Sequence, residues 1–423
     1  MQYKRTILPN GVRVITVPMA GNPTVTVMIN VATGSYYEDQ KQSGISHFLE
    51  HMCFKGTVKR PTAKVIATEL DSIGASYNAF TTTEMTGYYA KADTRHFAQI
   101  ADVVSDIYMN STFPETEIKK EKNVVLGEID MYADDPQEKV SDALRIHMYK
   151  GEPAERDVLG TKETVKAITR GDLLEYRKSQ YKASNTIITI AGGISESEML
   201  SWVKKTFGKI KDGKTKSELI TKDRVQLVPE TVFVDKDTDQ AHIMMAWRTF
   251  DRKSPDRFVA HIIKGILRAG MSSRLFAKLR DDMGSGYYIH VINSMNLSFG
   301  RFVIGTGTTA ERVPEIISAI ISETEKLKTK PVGVTELKKV REYMKSHLIM
   351  SMETSDGVVD FFADQEVLSD KIRTPEEFEE LFSKVTPDDI SRVSKIIFNN
   401  QKLTVAVIGN KLDKEAVSKA IRA

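Results

Sequence analysis

Two histidines lie four residues apart, at His47 and His51, with Glu50 between them. In a helix this spacing sets both imidazoles on one face, one turn apart. Two imidazole nitrogens so placed suit a single tetrahedral zinc ion. Glu50 follows His47 by three residues and immediately precedes His51, so its carboxylate would sit beside a metal rather than in line with the two rings. That is where a general base belongs if it is to take a proton from an attacking water. Ser43 and Gly44 offer a start to this helix, and Gly56 a stop.

A catalytic zinc needs a third protein ligand and an open fourth position. Glu128 is the candidate. The stretch Thr112-Phe-Pro-Glu115 has the spacing of a capping box and precedes a charged amphipathic segment. Glu121 and Glu128 stand two helical turns apart within it and share a face. Read from residues alone, Glu121 fits a solvated stripe beside Lys119, Lys120 and Lys122 equally well.

The run Gly44-Ile-Ser-His47-Phe-Leu-Glu50-His51-Met-Cys-Phe54-Lys-Gly56-Thr resembles the signature of the inverzincin metallopeptidases of the pitrilysin/insulinase type. The 76 positions between His51 and Glu128 match that pattern. The resemblance implies that His47, His51 and Glu128 bind one zinc ion per chain and that Glu50 is the base. It also implies that Glu121 supports the site without being a ligand. A segment around Arg280 and Tyr287 is similar to a substrate-holding arginine–tyrosine region of these enzymes. Arginine would hold a substrate carbonyl and the phenol would hydrogen-bond an oxyanion. This sequence departs from the family in having Ser285-Gly286 before the tyrosine, and Tyr288 follows directly, which leaves either tyrosine open. An edge strand including Asn78 and Ala79 would receive extended substrate by strand addition, with pockets lined by Phe48 and Phe54, or those two rings are plain core.

These residues need a scaffold. Strand-like runs at Thr24–Val31, Thr186–Ala191, His242–Trp247, Gly300–Thr306 and Leu403–Ile408 alternate with amphipathic helical runs, which predicts an α+β fold of mixed layers. The chain also repeats itself. Thr169–Gly192 and Thr386–Gly409 align without a gap at an offset of 217, and Ala67–Tyr77 matches Ala277–Tyr287 at 210. Each of the longer pair opens with a threonine able to cap a helix and ends in a buried strand. We therefore expect two homologous domains, 1–213 and 222–423, joined by the charged stretch 211–224. At offset 217, His47, Glu50 and His51 fall on Lys264, Leu267 and Arg268, so the second domain should hold no metal.

Composition narrows the partners. The 423 residues are 41% hydrophobic and 28% charged, with a net charge of only +3, which predicts no nucleic-acid partner. No apolar run approaches the ~20 residues that cross a bilayer, the amino terminus lacks a signal-peptide pattern, and the single cysteine, Cys53, precludes an intrachain disulfide. A cytoplasmic location is expected. The expected function is zinc-dependent endopeptidase, acting on peptides or extended segments inside a chamber closed by a homodimer. The alternatives are a non-catalytic peptide-binding or assembly subunit and a zinc hydrolase of another substrate.

Overall fold

The computed structural model describes residues 2–369 and 371–422. Its strands form two sheets. The first holds β1 (Lys4–Ile7), β2 (Arg13–Pro18), β3 (Thr24–Val31), β4 (Ser76–Thr81), β5 (Thr86–Asp93) and β6 (Thr186–Gly192), in the order β1-β2-β6-β3-β5-β4. The second holds β7 (Glu230–Asp235), β8 (Ala241–Thr249), β9 (Ile289–Met295), β10 (Gly300–Thr308) and β11 (Leu403–Gly409), in the order β7-β11-β8-β10-β9. Leaving β1 aside, the two orders coincide. The senses coincide too: β2–β6 and β7–β11 are parallel, and every other pair is antiparallel.

The helices repeat in step. The first half carries α1 (Ile45–Cys53), α2 (Ala63–Asp71), α3 (Phe97–Asn110), α4 (Glu115–Asp134), α5 (Pro136–Met148), α6 (Lys162–Ala167), α7 (Arg170–Gln180) and α8 (Glu196–Phe207). The second carries α9 (Arg257–Arg268), α10 (Arg274–Phe276) with a π-helical turn over Ala277–Asp282, α11 (Val313–Thr329), α12 (Val334–Ser351), α13 (Ser355–Leu368), α14 (Pro375–Ser383), α15 (Pro387–Ile397) and α16 (Lys414–Ala420). The expected threonine caps are present at the same place in each half. Thr169 and Asp172 form a reciprocal capping box on α7, and Thr386 and Asp389 form one on α15. The chain is thus two homologous α+β domains.

Compactness divides the chain at other points than a cut near residue 213. One unit comprises 1–130, 156–219 and 349–374; the other comprises 131–155, 220–348 and 375–423. Each half gives one helix to the other unit. In the first unit α13 lies on β6 and β3, where Ser355 Oγ meets Thr24 and Thr26 hydroxyls at 3.0 and 2.8 Å. Its buried Glu366 accepts from Arg5 at 2.7 and 2.9 Å and from Arg13 at 3.3 Å. In the second unit α5 lies on β11, β8 and β7, and the buried Arg248 donates to the Met148 carbonyl at its end. The amphipathic face of a helix demands a sheet to cover but carries no address for it, which is why the exchange is absent from a contiguous reading.

In the first unit, period-two alternation along β3 sends Val25, Val27, Ile29 and Val31 into a core with α1 and α3, while Thr24 and Thr26 face α13. The second core is built the same way around Ile243, Met245 and Trp247. Residues 210–227 carry neither helix nor strand. Among the described residues no helix is long and apolar enough to cross a membrane.

Candidate metal centre

Helix α1 starts at Gly44, whose φ of +90° suits glycine. Glu38, fully buried, accepts from the N–H groups of Gly44 at 2.7 Å and Ser46 at 2.8 Å. Its carboxylate thereby serves orphan donors at the positive end of the helix. Burial pushes the Glu38 carboxyl up to about 7, against those hydrogen bonds. The apolar stripe Ile45, Phe48, Leu49 and Met52 packs into the core, and this turns His47, Glu50 and His51 to the other side.

Helix α4 faces them. Its start differs from the expected capping box. Phe113 has a φ of +51°, and the Thr112 hydroxyl donates to the Gly56 carbonyl at 3.2 Å instead of serving the helix. The helix buries Ile118, Glu121 and Val125, which leaves Glu128 on the same side one turn further on. His47 Nε2, His51 Nε2 and Glu128 Oε2 converge: the nitrogens are 3.2 Å apart, and the oxygen is 3.7 and 3.8 Å from them. An ion with ligands at ~2.0–2.1 Å in a tetrahedron wants them about 3.3 Å apart. The three side chains are a His/His/Glu donor set of that size, so they fit one zinc ion per chain.

The two histidines differ in their electrostatics. Burial, with the neighbouring His51, pushes His47 down to about 3 and keeps it a neutral donor. For His51, burial works against the charged ring. The Glu121 hydrogen bond and the carboxylates of Glu50 and Glu128 outweigh it and raise its pKa. Glu121 Oε1 lies 2.8 Å from His51 Nδ1, which turns Nε2 toward the site, and Lys55 Nζ sits 2.7 Å from Glu121. Burial opposes ionisation of Glu121, but His51 and Lys55 hold it below the usual carboxylate range. It is an orienting group, buried and paired, and no member of a solvated stripe. Glu50, nearly buried, accepts from the Thr81 hydroxyl at 2.6 Å. Burial and Glu128 raise its pKa against the pull of Thr81 and His51.

The other expected residues divide. Strand β4 is the open edge of its sheet, as anticipated. Thr82 N–H bonds the Met85 carbonyl, and the alternation running back from there turns the main-chain groups of Asn78 toward β5 and those of Ala79 outward. Of the pair, Ala79 alone offers backbone to a ligand, and the Asn78 side chain covers its N–H at 2.9 Å. Phe48 does not line a pocket: it has no exposed surface and belongs to the core, because it falls on the apolar stripe of α1 with Ile45, Leu49 and Met52. Phe54 packs partly against that core.

In the second unit Arg280 is exposed on the π-helical turn, its guanidinium 5.8 Å from the Phe276 ring centre. Tyr287 is 59% exposed, whereas the Tyr288 hydroxyl is engaged by His242 Nδ1 at 3.0 Å. Tyr287 is therefore the phenol free to meet a ligand. The departure at Ser285-Gly286 has a local cause: Gly286 has a φ of +78°, which alanine adopts only under strain. Glu38, Lys55 and Thr81 were not singled out from sequence. Lys55, four residues after His51 and on its face, was within reach of helix periodicity; Glu38 and Thr81 act across loops and left no signal.

The model of the insulinase family, peptidase family M16, matches residues 13–162, and that of the M16 inactive domain matches 167–344. An uncharacterised zinc protease of Bacillus subtilis is 32% identical over 93% of this chain and 95% of its own length. A probable mitochondrial-processing peptidase β subunit of Arabidopsis thaliana is 30% identical over 92% of this chain and 75% of its own. Among solved structures, a protease from Helicobacter pylori shares the fold with a TM-score of 0.90 at 22% identity, covering 96% of this chain and 99% of that one. With the inverted histidine–glutamate helix, the facing Glu128 and a second repeat of the same fold in place, the chain belongs to the insulinase-type peptidases of family M16 and is a zinc metalloendopeptidase.

Proposed function

We propose that this peptidase cleaves peptides and extended polypeptide segments bound as an added strand on β4. The observation that carries the reading is the open edge of β4 in the unit that holds the three donors, its last residue hydrogen-bonded to Glu50. Strand addition takes backbone rather than sequence, so it selects chains that are unfolded or free at the site of cleavage. Zinc held by His47, His51 and Glu128 would supply Lewis acidity toward a carbonyl and acidify water. Glu50 takes the proton from the attacking water and passes it to the leaving amine. Arg280 and Tyr287 donate to the substrate carbonyl and the developing oxyanion.

Both segments occur in one chain, so a homodimer in which each copy lends its Arg280 and Tyr287 to the other closes the chamber without a second gene product. The alternative of a non-catalytic peptide-binding subunit requires a damaged metal set or a missing base, and here His47, Glu50, His51 and Glu128 are all present. The test is hydrolysis of a quenched fluorescent peptide by purified protein, with and without a chelator, beside Glu50→Gln. The expected result is loss of activity with chelator and its return with zinc. Glu50→Gln should keep its zinc and lose about 10²–10⁴-fold in kcat, the usual worth of a general base. Full activity of Glu50→Gln would remove the proposed base. Equally fast cleavage of a folded protein would remove the strand-addition reading, and a monomer active at all dilutions would remove the dimer.

A further inference from the structure

We infer that Thr81 is a positioning residue that ties the peptide-binding edge strand to the general base, an inference that rests on the reading of Glu50 as that base. Thr81 is the last residue of β4, opposite Thr86 of β5. Its hydroxyl donates to Glu50 Oε2 at 2.6 Å, a charge-assisted length. A glutamate side chain has three rotatable torsions, and a base acts only when one oxygen is held toward the attacking water. Fixing Oε2 leaves Oε1 for proton transfer.

The strand end that delivers this hydroxyl is itself rigid. In the following turn, Thr82 Oγ1 accepts from Glu84 N–H at 3.2 Å and Met85 N–H at 3.0 Å. Tyr36 N–H donates to the Thr83 carbonyl at 2.9 Å. Opposite Thr81, Thr86 Oγ1 donates to the Thr33 carbonyl at 3.1 Å, and Thr33 Oγ1 meets the Tyr176 hydroxyl at 3.0 Å. Tyr176 reaches Ser46 Oγ on α1 at 2.7 Å. Strand and helix are thus tied twice, at Glu50 and at Ser46 one turn before it. A peptide added to β4 is registered by the Ala79 main chain, and two residues along the same strand Thr81 registers the base. One short rigid element sets both, so base and bound backbone share one frame.

The test compares Thr81→Val, which keeps shape but not the hydroxyl, with Thr81→Ser, which keeps the hydroxyl. Steady-state kinetics on the fluorescent peptide and zinc content by elemental analysis are the readouts. Thr81→Val should lower kcat by about tenfold to a hundredfold, the scale of one hydrogen bond to a charged group, with KM within about twofold and zinc unchanged. Thr81→Ser should restore most of the rate. In a Glu50→Gln background Thr81→Val should cost nothing further, because the two act through one group. A Thr81→Val enzyme at wild-type kcat, a loss expressed wholly in KM, or a Thr81→Ser enzyme as slow as Thr81→Val would each overturn the inference. Should Thr81→Val fail to fold, Thr81→Ala against Thr81→Ser reads the same difference. If Glu50→Gln is fully active, the base assignment itself fails; if Glu50→Gln is inactive and Thr81→Val is not impaired, only the role of Thr81 fails.

Discussion

The two units share a strand order and a helix succession, yet among the described residues it is in the first that a His/His/Glu donor set comes together. Helix α1 buries Ile45, Phe48, Leu49 and Met52 and turns two imidazoles and a carboxylate away from the core. The matching α9 carries Lys264, Leu267 and Arg268 at the aligned positions. Leu267 is fully buried, and Arg268 Nε donates to the Ile289 carbonyl at 2.5 Å. The facing helices differ in the same way. The buried series Ile118, Glu121, Val125 of α4 is matched in α12 by the buried Leu337 and Val340 and the partly buried Met344. Val340 thus stands where Glu121 orients a histidine, and His347, three residues after Met344, stands where Glu128 offers its oxygen. The fold needs the apolar stripes, which both repeats keep. The face that carries the donors in the first repeat is not kept in the second, where Leu267 has joined the core.

The sharpest way to break this comparison is to mutate matched positions. His51→Ala should abolish zinc retention and peptide hydrolysis. Arg268→Ala should leave both at wild-type level, with one zinc per chain by elemental analysis. A second zinc in the wild type, or zinc loss in Arg268→Ala, would contradict the asymmetry. A smaller effect is expected at the orienting carboxylate. Glu121→Gln should weaken zinc binding by about 10–100-fold in competition with a chromophoric chelator, while Val340→Ala should not alter it.

The exchanged helices offer a test on stability. Glu366 of α13 is held by Arg5 and Arg13, and loss of its carboxylate leaves Arg13 only the main-chain carbonyl of residue 366 to donate to, at 2.9 Å. Glu366→Ala should destabilise the first unit by about 1–3 kcal/mol in denaturant unfolding, the cost of removing charge-assisted hydrogen bonds. Less than ~0.5 kcal/mol would mean that α13 is held by its apolar face alone.

The smallest effect should be the pH dependence that Glu38 gives the first unit. The Glu38 carboxyl is raised from 4.5 to about 7 in the folded chain. Between these values the unfolded state has released the proton and the folded state has kept it. The contribution of Glu38 to stability therefore falls as pH rises from about 4.5 to 7. The difference in unfolding free energy between wild type and Glu38→Gln should shrink in that direction across this window. A difference independent of pH would show that Glu38 is ionised in the fold throughout.

Much of the molecule was legible in order of residues. Helix periodicity set His47 and His51 on one face and Glu121 and Glu128 on another, because both relations lie within one helix and need only its pitch. The ungapped repeat predicted two like domains, and the threonine caps at Thr169 and Thr386 appeared as read, because capping is local. The α+β class followed from the same local rules. What tertiary structure alone decided lies between elements. The capping pattern at Thr112 yielded to a bond with Gly56, across the chain. Phe48 went to the core, and Tyr288 was taken by His242. The exchange of α5 and α13 changed which residues share a core, since an amphipathic face names a need and not a partner. Glu121 was ambiguous in sequence and became unambiguous only when His51 and Lys55 met it. The two-histidine helix, then, was written in the spacing of three residues, whereas the Thr81 hydroxyl that meets Glu50 came from a strand 31 residues on that only the folded chain brings to it.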